Sequence, residues 1–200
     1  KNYEETPNES SIDWRQWLAT MSYRLNLTSA HYADLSYAVG QRHYTKELAS
    51  LSTGAELGDN PTEKHRYREL TLTTSSTLGG RLKVELHYDR SAKDDLFQGY
   101  ESRRTQGVQA AVGLLAFRGL EFQADGRHSW REYDRMEGDS GRRLSYTSDE
   151  IGFNLRCHLV GGLNAFSSVG RYRRNTNKTT GSSYRDYSGT RAQMGMSLFL

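Results

Sequence analysis

Apolar residues recur at every second position over long stretches of this chain. Between residues 16 and 27 the odd positions are apolar, and the even positions, apart from Leu18, are polar. A period of two places alternate side chains on opposite faces of an extended strand, whereas a helix needs a period of 3.6. The pattern therefore predicts a β-strand with one apolar face and one polar face.

The same alternation returns in eight further segments. These segments lie near residues 34–42, 69–73, 82–89, 108–114, 120–127, 150–159, 163–169 and 191–200. The one over 163–169 is the weakest. Strands in globular proteins usually have about five or six residues, so nine segments of about ten residues indicate an unusual sheet. A helix over residues 10–18 remains an alternative for the first segment, because Ser10 or Ser11 could cap it.

The connections between these segments alternate in length. Short connections lie near residues 28–32, 78–80, 117–119 and 160–162, and long polar ones lie at 45–64, 90–103, 133–147 and 173–186. Short turns at one end and long loops at the other are typical of barrels of the bacterial outer membrane. The spacing predicts an all-β fold, a transmembrane antiparallel up-and-down β-barrel with short periplasmic turns and long extracellular loops.

Composition narrows the classes of protein that remain. With 35% hydrophobic residues and a mean hydropathy of −0.82, the chain lacks the stretches of about 20 apolar residues that transmembrane helices need. Thirteen Tyr, three Trp and six Phe argue against disorder. Cys157 is the single cysteine, which excludes an internal disulfide and a cysteine-based zinc cluster. A net charge of +3 is too small to predict a nucleic-acid partner.

The apolar face of each strand must be buried somewhere. A second sheet would bury it in a soluble β-sandwich, and lipid would bury it in a membrane barrel. The polar face carries charges at mid-strand, which suits a water-filled lumen, and closure of the sheet would satisfy every backbone group in the hydrocarbon. We therefore expect a barrel, with the soluble sandwich as the alternative.

The polar face defines a predicted lumen of mixed charge. Seven basic and seven acidic residues fall on it, so we expect weak ion selectivity. The predicted lumen-lining residues are Arg24, Asp34, Arg42, Glu69, Lys83, Glu85, His87, Asp89, Glu121, Asp125, Arg127, Arg131, Glu150, Arg156 and Arg191.

Aromatic residues near the strand ends are predicted to lie at the membrane–water interface, where a ring can be buried while its polar tip stays hydrated. The predicted interfacial residues are Trp17, Tyr37, Tyr88, Trp130 and Tyr172.

The residues that could support catalysis do not form a recognisable set. His128 and Ser129 are adjacent, so a strand points them to opposite faces and they cannot form a nucleophile–base pair. His87 and Asp89 share a face, but the sequence shows no nucleophile beside them. The other histidines, including His65, are scattered. We therefore predict no enzyme, no cofactor, no catalytic residue and no metal site.

The C-terminal segment Arg191–Leu200 resembles the last strand of bacterial outer-membrane proteins, which alternates apolar residues and usually ends on Phe. Met194, Met196, Leu198 and Leu200 match that spacing, although the chain ends on Leu with Phe199 one position early. The resemblance covers roughly residues 11–200. It is weakly similar to barrels of exopolysaccharide export and porin–cytochrome systems. It implies an outer-membrane location, recognition of these four residues by the barrel-assembly machinery, and lipid and lipopolysaccharide as partners.

Nine strands conflict with the even number usual in bacterial barrels. Three explanations remain open: earlier strands that precede Lys1, a miscounted strand with 163–169 as the suspect, or closure against another envelope protein. Residues 1–10 are interpreted as a polar loop or N-terminal segment, and 11–200 as the barrel. The predicted function is a channel for polar solutes or an exported polymer. The alternative is a non-conducting structural barrel that anchors a larger envelope complex.

Overall fold

The computed structural model is an all-β, antiparallel, up-and-down sheet, and it describes residues 14–116, 119–137, 141–158, 163–178 and 186–198. Within those ranges no helix is long and apolar enough to span a bilayer. The described residues form nine strands: β1 (Trp14–Thr28), β2 (His31–Leu48), β3 (Thr62–Leu78), β4 (Leu82–Asp95), β5 (Arg103–Leu115), β6 (Leu120–Glu137), β7 (Arg143–His158), β8 (Leu163–Thr176) and β9 (Tyr187–Leu198).

The helix considered for residues 10–18 is wrong for residues 14–18, because these belong to β1. Residues 1–13, which include the predicted N-terminal segment 1–10 and the start of that helix, lie outside the described residues. The weak segment at 163–169 is a strand of 14 residues, β8, which pairs with β7 along one side and β9 along the other. The explanation that this strand was miscounted is therefore wrong.

Each strand pairs with its neighbours in sequence, in the order β1 to β9. Among the described residues β1 pairs only with β2, and β9 only with β8, so the sheet is open. The antiparallel up-and-down sheet that the sequence predicts is confirmed, whereas its closure is not seen. The edge strands β1 and β9 run in the same direction, because neighbouring strands alternate in direction and both have odd numbers.

The two ends of the sheet differ as the spacing predicts, but the strands are longer. Connections at one end are as short as residues 29–30 and 79–81, whereas the other end has connections at 49–61 and 96–102. The predicted loop 133–147 is mostly strand, because β6 and β7 continue to Glu137 and from Arg143. Apolar residues do not alternate regularly in this segment, so the sequence suggests a loop although the backbone still pairs.

The strand register collects the apolar residues on one face. Val112 lies opposite Val84 on one side and Ala124 on the other, and Ala124 lies opposite Phe153. This apolar face continues across all nine strands and is exposed. Its most accessible members include Met21, Tyr23, Leu27, Leu86, Ile151, Phe153, Met194 and Met196.

The polar face is the more crowded and less accessible face of the sheet, and we infer from this crowding that the sheet curves toward it; it is called the concave face, and the apolar face the convex face. Its residues include most of those least accessible to solvent, such as His65 and Ser75 at 1% and 3%, whereas Met194 on the apolar face is 84% exposed. Gly40 and Gly107 on the polar face are also buried. A water-soluble sheet buries its apolar face, so this arrangement is inverted.

Gly40 tests how tightly the concave face is packed. A Cβ at Gly40 would lie 2.6 Å from the backbone oxygen of Trp17 and 3.0 Å from Leu18, whereas a Cβ at Gly113 would meet nothing closer than 3.9 Å. We expect Gly40→Ala to lower the free energy of unfolding by about 1–3 kcal/mol. Gly113→Ala should leave it unchanged or raise it by less than about 1 kcal/mol. Urea unfolding of both variants measures the difference, and equal effects would contradict the described packing.

Candidate functional site: the charged concave face

The register places all fifteen predicted lumen-lining residues on the concave face. One row of directly opposed residues shows how it crosses the sheet. From β1 to β8 this row comprises Arg24, Asp34, Thr73, His87, Gln109, Arg127, Glu150 and Tyr172. Because each strand contributes alternate residues to this face, charges of both signs lie side by side.

Several of these charges pair across strands. Arg24 binds Asp34 through two hydrogen bonds, from Nε to Oδ1 at 2.6 Å and from Nη2 to Oδ2 at 2.7 Å. Glu121 lies 3.7 Å from Arg156 on the neighbouring strand. Among the described residues, charges of opposite sign on this face are therefore paired across neighbouring strands.

Asp89 forms an ion pair with a residue that is not on a neighbouring strand. Arg127 on β6 reaches over β5 and donates a hydrogen bond from Nη2 to Asp89 Oδ1 on β4 at 2.9 Å. The intervening residue opposite Asp89 is Gly107, where a Cβ would lie 2.6 Å from the same carboxylate oxygen. The glycine thus leaves room for an ion pair that spans two strand spacings.

His87 lies between Asp89 and the hydroxyl of Thr73, a residue that was not predicted as part of a site. His87 Nε2 lies 3.7 Å from Asp89 Oδ1, and its Nδ1 lies 2.9 Å from Thr73 Oγ1. All three residues sit in the interior of paired strands, where ladder hydrogen bonds engage the backbone N–H groups. Acyl transfer needs free donors for an oxyanion. This arrangement supports a polar wall better than a nucleophilic site.

His128 and Ser129 lie on opposite faces. His128 is on the convex apolar face, where its Nδ1 lies 2.6 Å from Asp149 and its ring lies 5.4 Å from that of Trp130. Ser129 faces the concave side, opposite Gly107. The two residues are adjacent in sequence but do not face each other.

Four predicted interfacial aromatics, Trp17, Tyr37, Tyr88 and Trp130, lie on the convex face. The prediction for Tyr172 is wrong, because it lies on the concave face opposite Glu150 and makes an edge contact with Tyr187. Tyr172 was selected because it lies near a strand end, whereas the apolar positions of β8 are the odd residues from Leu163 to Val169, which lie on the convex face.

The predicted assembly residues are placed in part. Met194 and Met196 lie on the convex face and are 84% and 73% exposed. Leu198 ends β9, and Leu200 lies outside the described residues.

A cluster at the long-loop end of the concave face was not foreseen. Glu63 and His65 on β3 and Glu101 before β5 place one nitrogen and two carboxylate oxygens within 4.8 Å of one another. The alternation puts Glu63 and His65 on one face, which was a usable signal. The approach of Glu101, 36 residues beyond His65, depends on the tertiary fold.

Comparison with known proteins adds no assignment. No protein-family model, curated protein or solved structure matches this chain. Its function is therefore inferred from the chemistry of the two faces.

The Asp89–Arg127 ion pair can be tested by a double-mutant cycle. Asp89 is only 13% exposed, whereas both members of the Arg143–Glu132 pair are more than half exposed. We expect a coupling energy of about 0.5–1 kcal/mol for Asp89→Ala with Arg127→Ala, and about zero for Arg143→Ala with Glu132→Ala. Urea unfolding of the two cycles measures both energies. Equal coupling energies in the two pairs would contradict a stabilising ion pair between Asp89 and Arg127.

Proposed function

We propose that this sheet forms part of the wall of a bacterial outer-membrane β-barrel. The concave face of the sheet would line a hydrated channel for polar solutes or an exported polymer. The observation that carries the proposal is the exposed apolar face, continuous over nine strands, opposite a face of mixed charge. Lipid is the medium in which such an apolar face is stable while the opposite face stays wet.

The height of the apolar face fits a bilayer. On β1 the apolar positions run from Trp17 to Leu27. At roughly 3.3 Å per residue this is about 33 Å of strand, or about 25 Å of height at the usual tilt. Outer-membrane barrels carry an apolar band of about that height.

Closure requires partners for both edge strands. Unpaired backbone groups are not tolerated in hydrocarbon, so β1 and β9 need hydrogen-bonding neighbours. Because these strands run in the same direction, they would pair directly only as parallel strands. An antiparallel barrel would need further strands between them, either from the same polypeptide or from another envelope protein.

Basic residues on the convex face support lipopolysaccharide as a partner. Arg68, Arg90 and Arg104 lie on three neighbouring strands beyond the apolar residues, on the side of the long loops, and line a shallow groove with Tyr37 and Leu70. Arg68 is paired with Asp94 at 2.7 Å. Guanidinium groups bind phosphate oxygens well, so this groove suits the anionic headgroups of the outer leaflet. The exposed methionines of β9 suit recognition by the barrel-assembly machinery.

A non-conducting structural barrel is the second candidate. The Arg127–Asp89 ion pair spans two strand spacings, and a narrow barrel filled by such pairs would not conduct. Electrical conductance separates this candidate from a channel.

Two adjacent residues of β6 test which face meets lipid. Ala124 lies in the middle of the apolar face, and Gln123 lies on the concave face near Asp125. In lipid vesicles, Ala124→Arg should lower the free energy of unfolding by about 2–4 kcal/mol. Gln123→Arg should change it by less than about 1 kcal/mol, since the arginine remains hydrated. Denaturant unfolding gives both values, and a larger loss for Gln123→Arg would contradict the proposed orientation.

Conductance tests the channel itself. The protein extracted from native membranes with its partners should give ohmic current steps in a planar bilayer, with weak selectivity because lumen charges of both signs are balanced. Asp89→Asn leaves Arg127 without its carboxylate and should shift selectivity toward anions.

The matched control for that variant is Asp149→Asn, which removes a carboxylate from the convex face. It should leave selectivity unchanged. A silent protein would favour the structural barrel, and equal shifts in the two variants would contradict a lumen lined by Asp89.

A further inference from the structure

His65 is a buried imidazole with an unsatisfied ring nitrogen. Its side chain is 1% exposed, and within the described part of the chain its Nε2 has no hydrogen-bond partner. Glu63 Oε1 approaches that nitrogen to 2.6 Å but without the direction of a hydrogen bond. An orphaned buried polar atom carries a free-energy cost, so its surroundings indicate what it is arranged to bind.

The other ring nitrogen of His65 is already oriented. Nδ1 lies 3.3 Å from the Tyr67 hydroxyl, and the rings of Tyr44 and Tyr67 pack against the imidazole edge to face. When Nδ1 carries the proton and donates it to Tyr67, the lone pair of Nε2 is free. Metal-binding histidines are held in the same way, with one nitrogen fixed by a neighbour and the other directed at the ion.

Carboxylates surround the free nitrogen. Glu101 Oε2 lies 3.6 Å from Nε2, and the carboxylate of Glu47 neighbours Glu63. Lys93 contacts Glu101 and offsets one of the three negative charges, so the cluster retains an attraction for cations.

The loop that carries Glu101 is fixed in position. Leu96 N–H donates to the carbonyl oxygen of Lys64 at 3.0 Å, which extends the ladder between β3 and β4 into the loop. Ser102 Oγ accepts a hydrogen bond from the Asp95 N–H at 2.9 Å, and Ser102 N–H donates to the Gly99 carbonyl. Glu101 is therefore held beside β3 before any ligand arrives.

We propose that Glu63, His65 and Glu101 form a binding site for a divalent transition-metal ion of the zinc class. Bonds of about 2.0–2.2 Å place neighbouring donors of a tetrahedral zinc site about 3.4 Å apart. The separation of Nε2 from Glu101 Oε2 already fits, and Glu63 Oε1 has to move away from Nε2 by about 0.8 Å, a small side-chain rotation. Imidazole in the donor set favours zinc over calcium or magnesium. The ion would join β3 to the loop 96–102.

This site does not depend on the proposed channel function, since its residues lie beyond the apolar face at the long-loop end. Purified full-length chain, treated with a chelator and dialysed, would be titrated with Zn²⁺ by calorimetry. We expect one saturable Zn²⁺ per chain and a higher melting temperature, with no such effect from Ca²⁺. The proposal would be overturned if the wild-type chain bound no Zn²⁺, or bound it only at several weak sites.

Two variants locate the ion. Glu101→Gln removes a ligand that is 39% exposed, so folding should survive, and we expect zinc affinity to fall at least about tenfold. His65→Gln should abolish binding. If it fails to fold, Tyr67→Phe replaces it and should weaken zinc binding about 10- to 100-fold through loss of the Nδ1 contact.

The control is His128→Gln, which removes a histidine–carboxylate pair on the opposite face and should bind Zn²⁺ like the wild type. In the Co²⁺-loaded chain, the visible absorption of a tetrahedral ion should be present in the wild type and lost in Glu101→Gln. Affinity unchanged in Glu101→Gln, or lost equally in His128→Gln, would overturn the assignment.

Discussion

The apolar face of the sheet has to be removed from water, and the other features of the structure follow from how that is achieved. Nine strands present apolar side chains on the same side, and among the described residues no second layer covers them. At about 25 cal/mol per Å² the exposure of such a face to water would be prohibitive for a marginally stable domain. In the arrangement that we propose, lipid against the convex face would resolve this without a second sheet and would leave the concave face free to carry charge.

The side chains on the concave face lie close to one another. Curvature brings its side chains together, so small residues occur where strands or long side chains approach. Gly40 admits the backbone of Trp17, and Gly107 admits the Asp89–Arg127 ion pair. The charges that cross this face are paired with one another, which keeps the wall polar without a strong field. This property agrees with the proposed passage of polar solutes with little discrimination by charge.

Much of this arrangement could be predicted from the sequence, because a period of two is a direct consequence of strand geometry. The alternation predicted the nine strands of the described residues and the face on which every predicted lumen-lining residue lies. It failed at the ends of β6 and β7, where the alternation is not sustained and the residues were taken for loop. Tyr172 was chosen for its place near a strand end, although it falls on the polar face of β8. The Glu63–His65–Glu101 cluster was missed because Glu101 comes from a loop whose path depends on long-range hydrogen bonds. Closure also lies beyond local pattern, since it depends on what pairs with β1 and β9.

The most direct test of the account is to ask which face touches lipid. Single cysteines at Ala124 and Gln123, in a chain with Cys157 replaced by Ser, would be labelled with an environment-sensitive fluorophore and reconstituted into vesicles. The account predicts that brominated lipid quenches the label at position 124 and that aqueous iodide quenches the label at position 123. Quenching of the label at 124 by iodide, with no effect of brominated lipid, would show that the apolar face is not in the bilayer and would contradict the account.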